Sequence, residues 1–156
     1  MVSFVKREKY QYPFVMVPLH ESALLFFQAE YGTGKHKVVF ASKRGILGAV
    51  VDLFAERQPY RVYKLRKRMP AKKLTIKLPE KMAHCKISEE SILLLSKLLS
   101  DIFKQQFVAF VDGAVNTGCS ESFAVECFLK KYAIPVDYWD FHAAKMVYRR
   151  AKGYEK

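Results

Sequence analysis

The segment Lys73-Leu74-Thr75-Ile76-Lys77-Leu78 limits the fold of this chain more than any other. Leu74, Ile76 and Leu78 alternate with Lys73, Thr75 and Lys77. That is the period of a strand with one buried face, and its wet face is cationic. Pro79 ends the pattern, and beyond it the apolar residues recur at helical spacing. Strand periodicity in one half and helix periodicity in the other predict an α+β fold. It should have short N-terminal strands with two helices and a basic β-ribbon, followed by a mostly helical C-terminal half. The 156 residues are 51% hydrophobic and 14% aromatic, enough for a real core and too apolar for disorder. One domain spanning 1–156 is expected, divisible into a basic α+β half, 1–80, and a helical half, 81–156.

Along the first half, Tyr12 to Leu19 reads as a strand and Glu21 to Tyr31 as a helix ended by Gly32-Thr33-Gly34. Lys37 to Ala41 is extended, and Ser42 is placed to cap a second helix through Arg57, stopped by Gln58-Pro59. Tyr60 to Leu65 and Lys73 to Leu78 are the two arms of the expected ribbon, joined by the loop Arg66-Lys67-Arg68-Met69-Pro70-Ala71-Lys72.

In the second half, Ser88 caps a helix with Glu89 and Glu90 in its first turn. Its core stripe is Ile92, Leu95, Leu99, Ile102 and Phe103, widened by Leu94 and Leu98. So broad a stripe predicts a central helix or a homodimer interface. Two continuations stay open: helix to Val111, or a break at Gln105-Gln106 and a strand from Phe107 to Val111. Ser120 caps a helix reaching Tyr132, with Phe123, Val125 and Cys127 or Phe128 inward. After Ile134-Pro135-Val136, Asp137 caps a last helix from Tyr138 to about Ala151.

Charge carries the functional argument. The chain has 27 Lys+Arg against 15 Asp+Glu, a formal net charge of +12. Between Arg61 and Lys86 stand ten cations, including Arg61, Lys64, Arg66, Lys67, Arg68, Lys72, Lys73 and Lys77, against the single acid Glu80. That window therefore holds +9 of the +12, with Tyr60 and Tyr63 set among the cations. Such a segment can track a phosphate backbone and release its counterions, while tyrosines can stack on unpaired bases. A second basic cluster, Lys145, Arg149 and Arg150, lies in the last helix, where cations also suit the helix dipole. The last two helices read as a plain hairpin rather than a DNA-reading pair. Their connection has proline and no glycine, and Asp137 and Asp140 would repel phosphates. Trp139 is expected to anchor packing.

No catalytic residues, metal ligands or cofactor are assigned. Gly32-Thr33-Gly34-Lys35 lacks the upstream glycine and the following Ser/Thr of a phosphate-binding loop. His84, Cys85, Cys119, Cys127 and His142 lack zinc-knuckle spacing. The expectation is a nucleic-acid-binding, non-enzymatic accessory or regulatory protein, with DNA favoured over RNA. One alternative is an interaction or assembly module for an acidic protein partner; another is a metal-dependent nuclease using Asp112. Lys6-Arg7-Glu8-Lys9 interrupts the apolar start, the three cysteines have no framework spacing, and no apolar stretch reaches membrane-spanning length. These predict a cytoplasmic protein with no membrane partner.

Overall fold

The structure, a computed structural model, describes residues 3–7, 10–35, 37–42, 45, 47–50, 72–78 and 87–154. In chain order its elements are β1 (Ser3–Arg7), β2 (Tyr10–Pro18), α1 (Glu21–Tyr31), β3 (Gly32–Thr33) and β4 (Val38–Phe40). After a helical stretch at 47–50 come β5 (Lys73–Lys77), α2 (Glu89–Asn116), α3 (Glu121–Lys131) and α4 (Phe141–Ala151). The α+β class is as the periodicity predicts, with strands in the first half and three helices closing the chain.

The five strands form one sheet in the order β1-β2-β5-β4-β3. β5 runs antiparallel to β2, with Val15 opposite Ile76 and Val17 opposite Leu74, and parallel to β4, with Val39 opposite Ile76. These registers place Val15, Val17, Val39, Leu74 and Ile76 on one face, and all five are buried. α1 packs against β3, β4 and β5, and α2 against β2. α1 contributes Ala23, Leu24, Phe26 and Phe27 to the core. Gly32 ends α1 at a point where only glycine fits: a Cβ there would stand 2.2 Å from the Gln28 carbonyl oxygen.

The expected strand at Lys73 is present, but it is the central strand of the sheet and not an arm of a free ribbon. At Ile76 and Lys77 it is paired on both sides, to β2 and to β4. Residues 60–65, the other expected arm, lie outside the described residues. β1, which the periodicity did not reveal, pairs with β2 at the sheet edge. The second helix starts later than Ser42: Gly45 is in a bend, 47–50 are helical, and the Ala49 N–H donates to the Gly45 carbonyl. Its remainder to Arg57 also lies outside the described residues.

α2 settles the question left open at 107–111, for it continues unbroken to Asn116. Ser88 caps it as expected, its Oγ accepting from the Ser91 N–H at 3.2 Å. Its buried residues are Ser91, Leu95, Leu99, Phe103, Phe107 and Val111. A four-residue step overshoots a helical turn by about 40°, so five steps carry this stripe roughly 200° around the helix. The N-terminal part therefore faces the sheet, where Ser96 Oγ donates to the Pro18 carbonyl. The C-terminal part faces α3 and α4.

This winding covers the centre of the stripe for which a second copy was invoked. Leu95, Leu99 and Phe103 are buried, and Ile92 and Ile102 are half-buried against the same core. The chain's own sheet and helices supply the partners of these five residues, while Leu94 and Leu98, which widen the stripe, are half-buried.

Gly118, at φ +96°, turns the chain into α3, whose cap Ser120 accepts from the Phe123 N–H. Ala124, Val125, Phe128 and Leu129 are the buried residues of α3. Phe123 corrects the inward assignment: it is 57% exposed, since the buried stripe of so short a helix leaves it on the rim. α4 begins at Phe141, not Tyr138, because Asp140 rather than Asp137 is the cap, Oδ1 accepting from the Ala143 N–H at 2.8 Å. Residues 135–139 instead form a turn, with the N–H groups of Tyr138 and Trp139 on the Pro135 carbonyl. Trp139 inserts between Phe103 and Phe107, at centroid distances of 5.2 and 4.7 Å, the packing role expected of it.

Candidate nucleic-acid interface

The side of the sheet away from the helices is built from the alternate residues of β2, β5 and β4. Phe14 stands opposite Lys77, which stands beside Phe40, so one row crosses three strands as aromatic, cation, aromatic. The Lys77 ammonium lies 5.9 Å from the centre of the Phe40 ring, within cation–π range. Met16 faces Thr75 in the next row, and Lys73 faces Pro18 at the end of the strand. Met16 is 46% exposed and Phe40 is 44% exposed, while Phe14 is half-buried. β2, β4 and β5 contain no acidic residue.

Of the predicted binding residues, Lys73 and Lys77 share this face. Arg61, Tyr63, Lys64, Arg66, Lys67 and Arg68 lie outside the described residues. By sequence they lead directly into β5, the strand at the centre of the sheet.

Lys72, also among the predicted binding residues, is engaged within the fold. Its ammonium is 2.5 Å from Glu21 Oε1, at the start of α1, and 3.4 Å from the Tyr138 hydroxyl, in the connection before α4. It also lies 5.0 Å from the centre of the Tyr138 ring. The hydrogen bond to Glu21 holds the Lys72 ammonium above its ordinary pKa. Lys72 thus links the start of the sheet-packing helix to the C-terminal half.

Two residues of the second basic cluster, Lys145 and Arg149, share one carboxylate within the fold. Arg149 Nε donates to Glu121 Oε1 at 3.0 Å, and the Lys145 ammonium is 3.8 Å from the same oxygen and 3.0 Å from Ser122 Oγ. These contacts tie α4 to the first turn of α3. Arg150 is exposed on the far side of α4. The connection between α3 and α4 runs from Tyr132 to Asp140, longer than the roughly three or four residues of a helix-turn-helix. Ala133 within it takes a left-handed φ of +48°.

Asp112 lies on α2 and not at a strand end. The Lys152 ammonium is 2.7 Å from its Oδ1, and the Tyr148 hydroxyl donates to the same oxygen at 3.2 Å. The hydrogen bond from Lys152 holds the Asp112 carboxyl below its ordinary pKa, and that of Tyr148 assists. Burial and the bond to Asp112 push the Tyr148 phenol up, so it stays a donor at neutral pH. Among the described residues no three His, Cys, Asp or Glu side chains are grouped to hold a metal ion. The geometry therefore makes Asp112 a clamp between α2 and the end of α4.

A lowered carboxyl pKa in the folded state stabilises the fold above the unfolded value, near 3.8, and that contribution is lost as pH falls through the folded value. Asp112→Asn is accordingly expected to lower Tm at pH 7. The difference from the parent protein should shrink as pH is taken below about 3.8. A pH-independent difference in thermal melts would show that the carboxylate charge is not what Lys152 and Tyr148 hold.

Sequence reasoning missed Phe14, Met16 and Phe40 as surface residues. The run Phe14-Val15-Met16-Val17 is apolar throughout, so its alternation carries no sign of which face is wet. Cys119 and Cys127 are half-buried free thiols and His142 is exposed, while Cys85 and His84 lie outside the described residues. Among the described residues no helix is long and apolar enough to cross a membrane. The chain matches no family model, no curated protein and no solved structure.

Proposed function

We propose that this protein binds nucleic acid as a non-enzymatic accessory or regulatory component. The observation that carries the reading is the concentration of charge: +9 of the net +12 falls between Arg61 and Lys86. That segment leads into and through β5, whose Lys73 and Lys77 stand on the side of the sheet away from the helices. Fixed cations at this density attract a polyanion, and release of its condensed counterions drives binding. The helical half contributes the core on which the sheet is held.

The test is fluorescence anisotropy with labelled single- and double-stranded DNA and RNA across a salt series without divalent metal. The logarithm of the association constant should fall linearly with the logarithm of salt concentration. Absence of binding at low salt would overturn the reading and direct the charge to an acidic protein partner, recoverable by pull-down after nuclease treatment.

A further inference from the structure

We infer that the cleft between α1, α2 and the end of α3 takes one unpaired nucleobase that carries an amino group, as cytosine does and thymine does not. Tyr31 stacks on the base, Glu30 accepts from its amino group, and the Gln106 amide meets the ring nitrogen beside it. This rests on the nucleic-acid reading above and adds to it a site for a single base.

Glu30, Tyr31, Gln106 and Ala109 stand exposed around a cleft of about 260 Å³, and the buried rings of Phe26 and Tyr132 also line it. That volume falls below the roughly 300–1,000 Å³ of sites for drug-sized ligands. It suits one ring system and leaves sugar and phosphate outside. The Lys131 ammonium already lies over Phe110 and Tyr132, 5.6 and 4.9 Å from their centres, so neither ring receives the base. Tyr31 is open. It is 41% exposed, its ring is nearly parallel to that of Phe27 at 6.0 Å, and the opposite face is left to a partner. Among the described residues no cation lies over it. Every base has a π-face with which to cover such a ring.

The polar groups select a neutral hydrogen-bond donor. Glu30 Oε1 accepts from the Tyr132 hydroxyl at 2.5 Å and lies 3.6 Å from the Lys131 ammonium. Both contacts fall on one oxygen, so Oε2 keeps its acceptor capacity. A cationic ligand would meet Lys131 and an anionic one Glu30, whereas a neutral N–H donor meets neither repulsion. The amino group of cytosine is such a donor, and carboxylates accept from it in base recognition. Gln106 brings both a donor and an acceptor to the neighbouring ring nitrogen. Thymine and uracil hold a carbonyl oxygen where cytosine holds its amino group, and that oxygen would face the carboxylate. In a duplex the same edge is paired and the base faces are stacked, so the base must be unpaired.

The experiment titrates labelled oligodeoxycytidine, oligodeoxythymidine and a duplex of matched length at low salt. The full chain is compared with Tyr31→Ala, Tyr31→Phe, Glu30→Gln and Gln106→Ala. Oligodeoxycytidine is expected to bind roughly 5- to 100-fold more tightly than oligodeoxythymidine, the range for one well-made base-edge contact. Tyr31→Ala should weaken oligodeoxycytidine by a similar factor, about 5- to 100-fold, through loss of the stacking ring. It should leave duplex binding unchanged, and Tyr31→Phe, which keeps the ring, should retain affinity. Glu30→Gln should erase the preference for cytosine, because its amide can also donate to a thymine carbonyl. Gln106→Ala, at an exposed position of α2, should reduce the same preference, and thermal melts check the fold of every variant. Equal binding of the two single strands, or a loss in Tyr31→Ala that the duplex shares, would overturn this inference and leave the nucleic-acid reading standing. Failure of every nucleic acid to bind the parent chain at low salt would overturn both.

Discussion

Phe107→Ala is expected to lower the free energy of unfolding by roughly 3–5 kcal/mol, the range for truncating a fully buried phenylalanine. Phe107 is wholly buried at the point where the stripe of α2 turns from the sheet toward the helices. Its ring stands 5.0 Å from that of Phe128 on α3 and 4.7 Å from that of Trp139 before α4, edge-on to both. Each such aromatic pair adds about 0.5–1.5 kcal/mol beyond burial. The void left by alanine cannot close easily, because Phe128 is also held by Phe26 and Tyr132, and Trp139 by Phe103. A domain of ordinary stability, about 5–15 kcal/mol, would lose a large share of it. Phe123→Ala, on the exposed rim of α3, is the control and should change stability by no more than about 0.5 kcal/mol. Urea denaturation of both variants reads the difference. A loss at Phe107 no larger than at Phe123 would mean that α3 and α4 are not docked through this aromatic cluster.

The second large effect is on binding. Replacing Arg66, Lys67 and Arg68 together by alanine should weaken nucleic acid of every sequence and flatten the salt dependence. Three lost phosphate contacts correspond to a fall of about 2 in the slope for single strands and nearer 3 for duplex, at roughly 0.7 and 0.9 per phosphate. Lys72→Ala provides the contrast, because its ammonium is engaged by Glu21 and Tyr138. It should leave the salt slope almost unchanged and act instead on the thermal melt. Unchanged affinity and slope in the triple variant would remove the Arg66–Arg68 segment from the interface. A slope change at Lys72 as large as that at one of the three would show that its ion pair opens on binding.

Local signals were legible where they depended on adjacent residues. Glu21–Tyr31 and Lys73–Lys77 lie where their periodicity places them. Ser88 and Ser120 cap helices because each stands just before an apolar-periodic run, with its side chain three residues from the N–H it accepts. Asp137 and Asp140 offer the same signal within one turn of each other, and nothing local chooses between them. Insertion of Trp139 between Phe103 and Phe107 commits residues 135–139 to a turn and leaves Asp140 to begin the helix. Phe107 to Val111 was ambiguous for a related reason: a short apolar run suits a buried strand and a buried helix equally. The rotation of the α2 stripe from sheet to helices resolved it.

The candidate interface divides along the same line. By itself, the sequence determined that charge is concentrated between Arg61 and Lys86, that Lys73 and Lys77 share one side of a strand, and that the second half is helical. These follow from composition and from periods of two and 3.6, which are properties of neighbouring residues. Only the tertiary structure decided that this strand is central, that Phe14 and Phe40 flank Lys77 across it, and that Lys72, Lys145, Arg149 and Asp112 are tied into ion pairs between elements. Strand order and ion-pair partners join residues far apart in the chain, and they are set by which apolar faces bury one another. A residue's local context fixes its side of the strand, but not whether that side meets a helix or water.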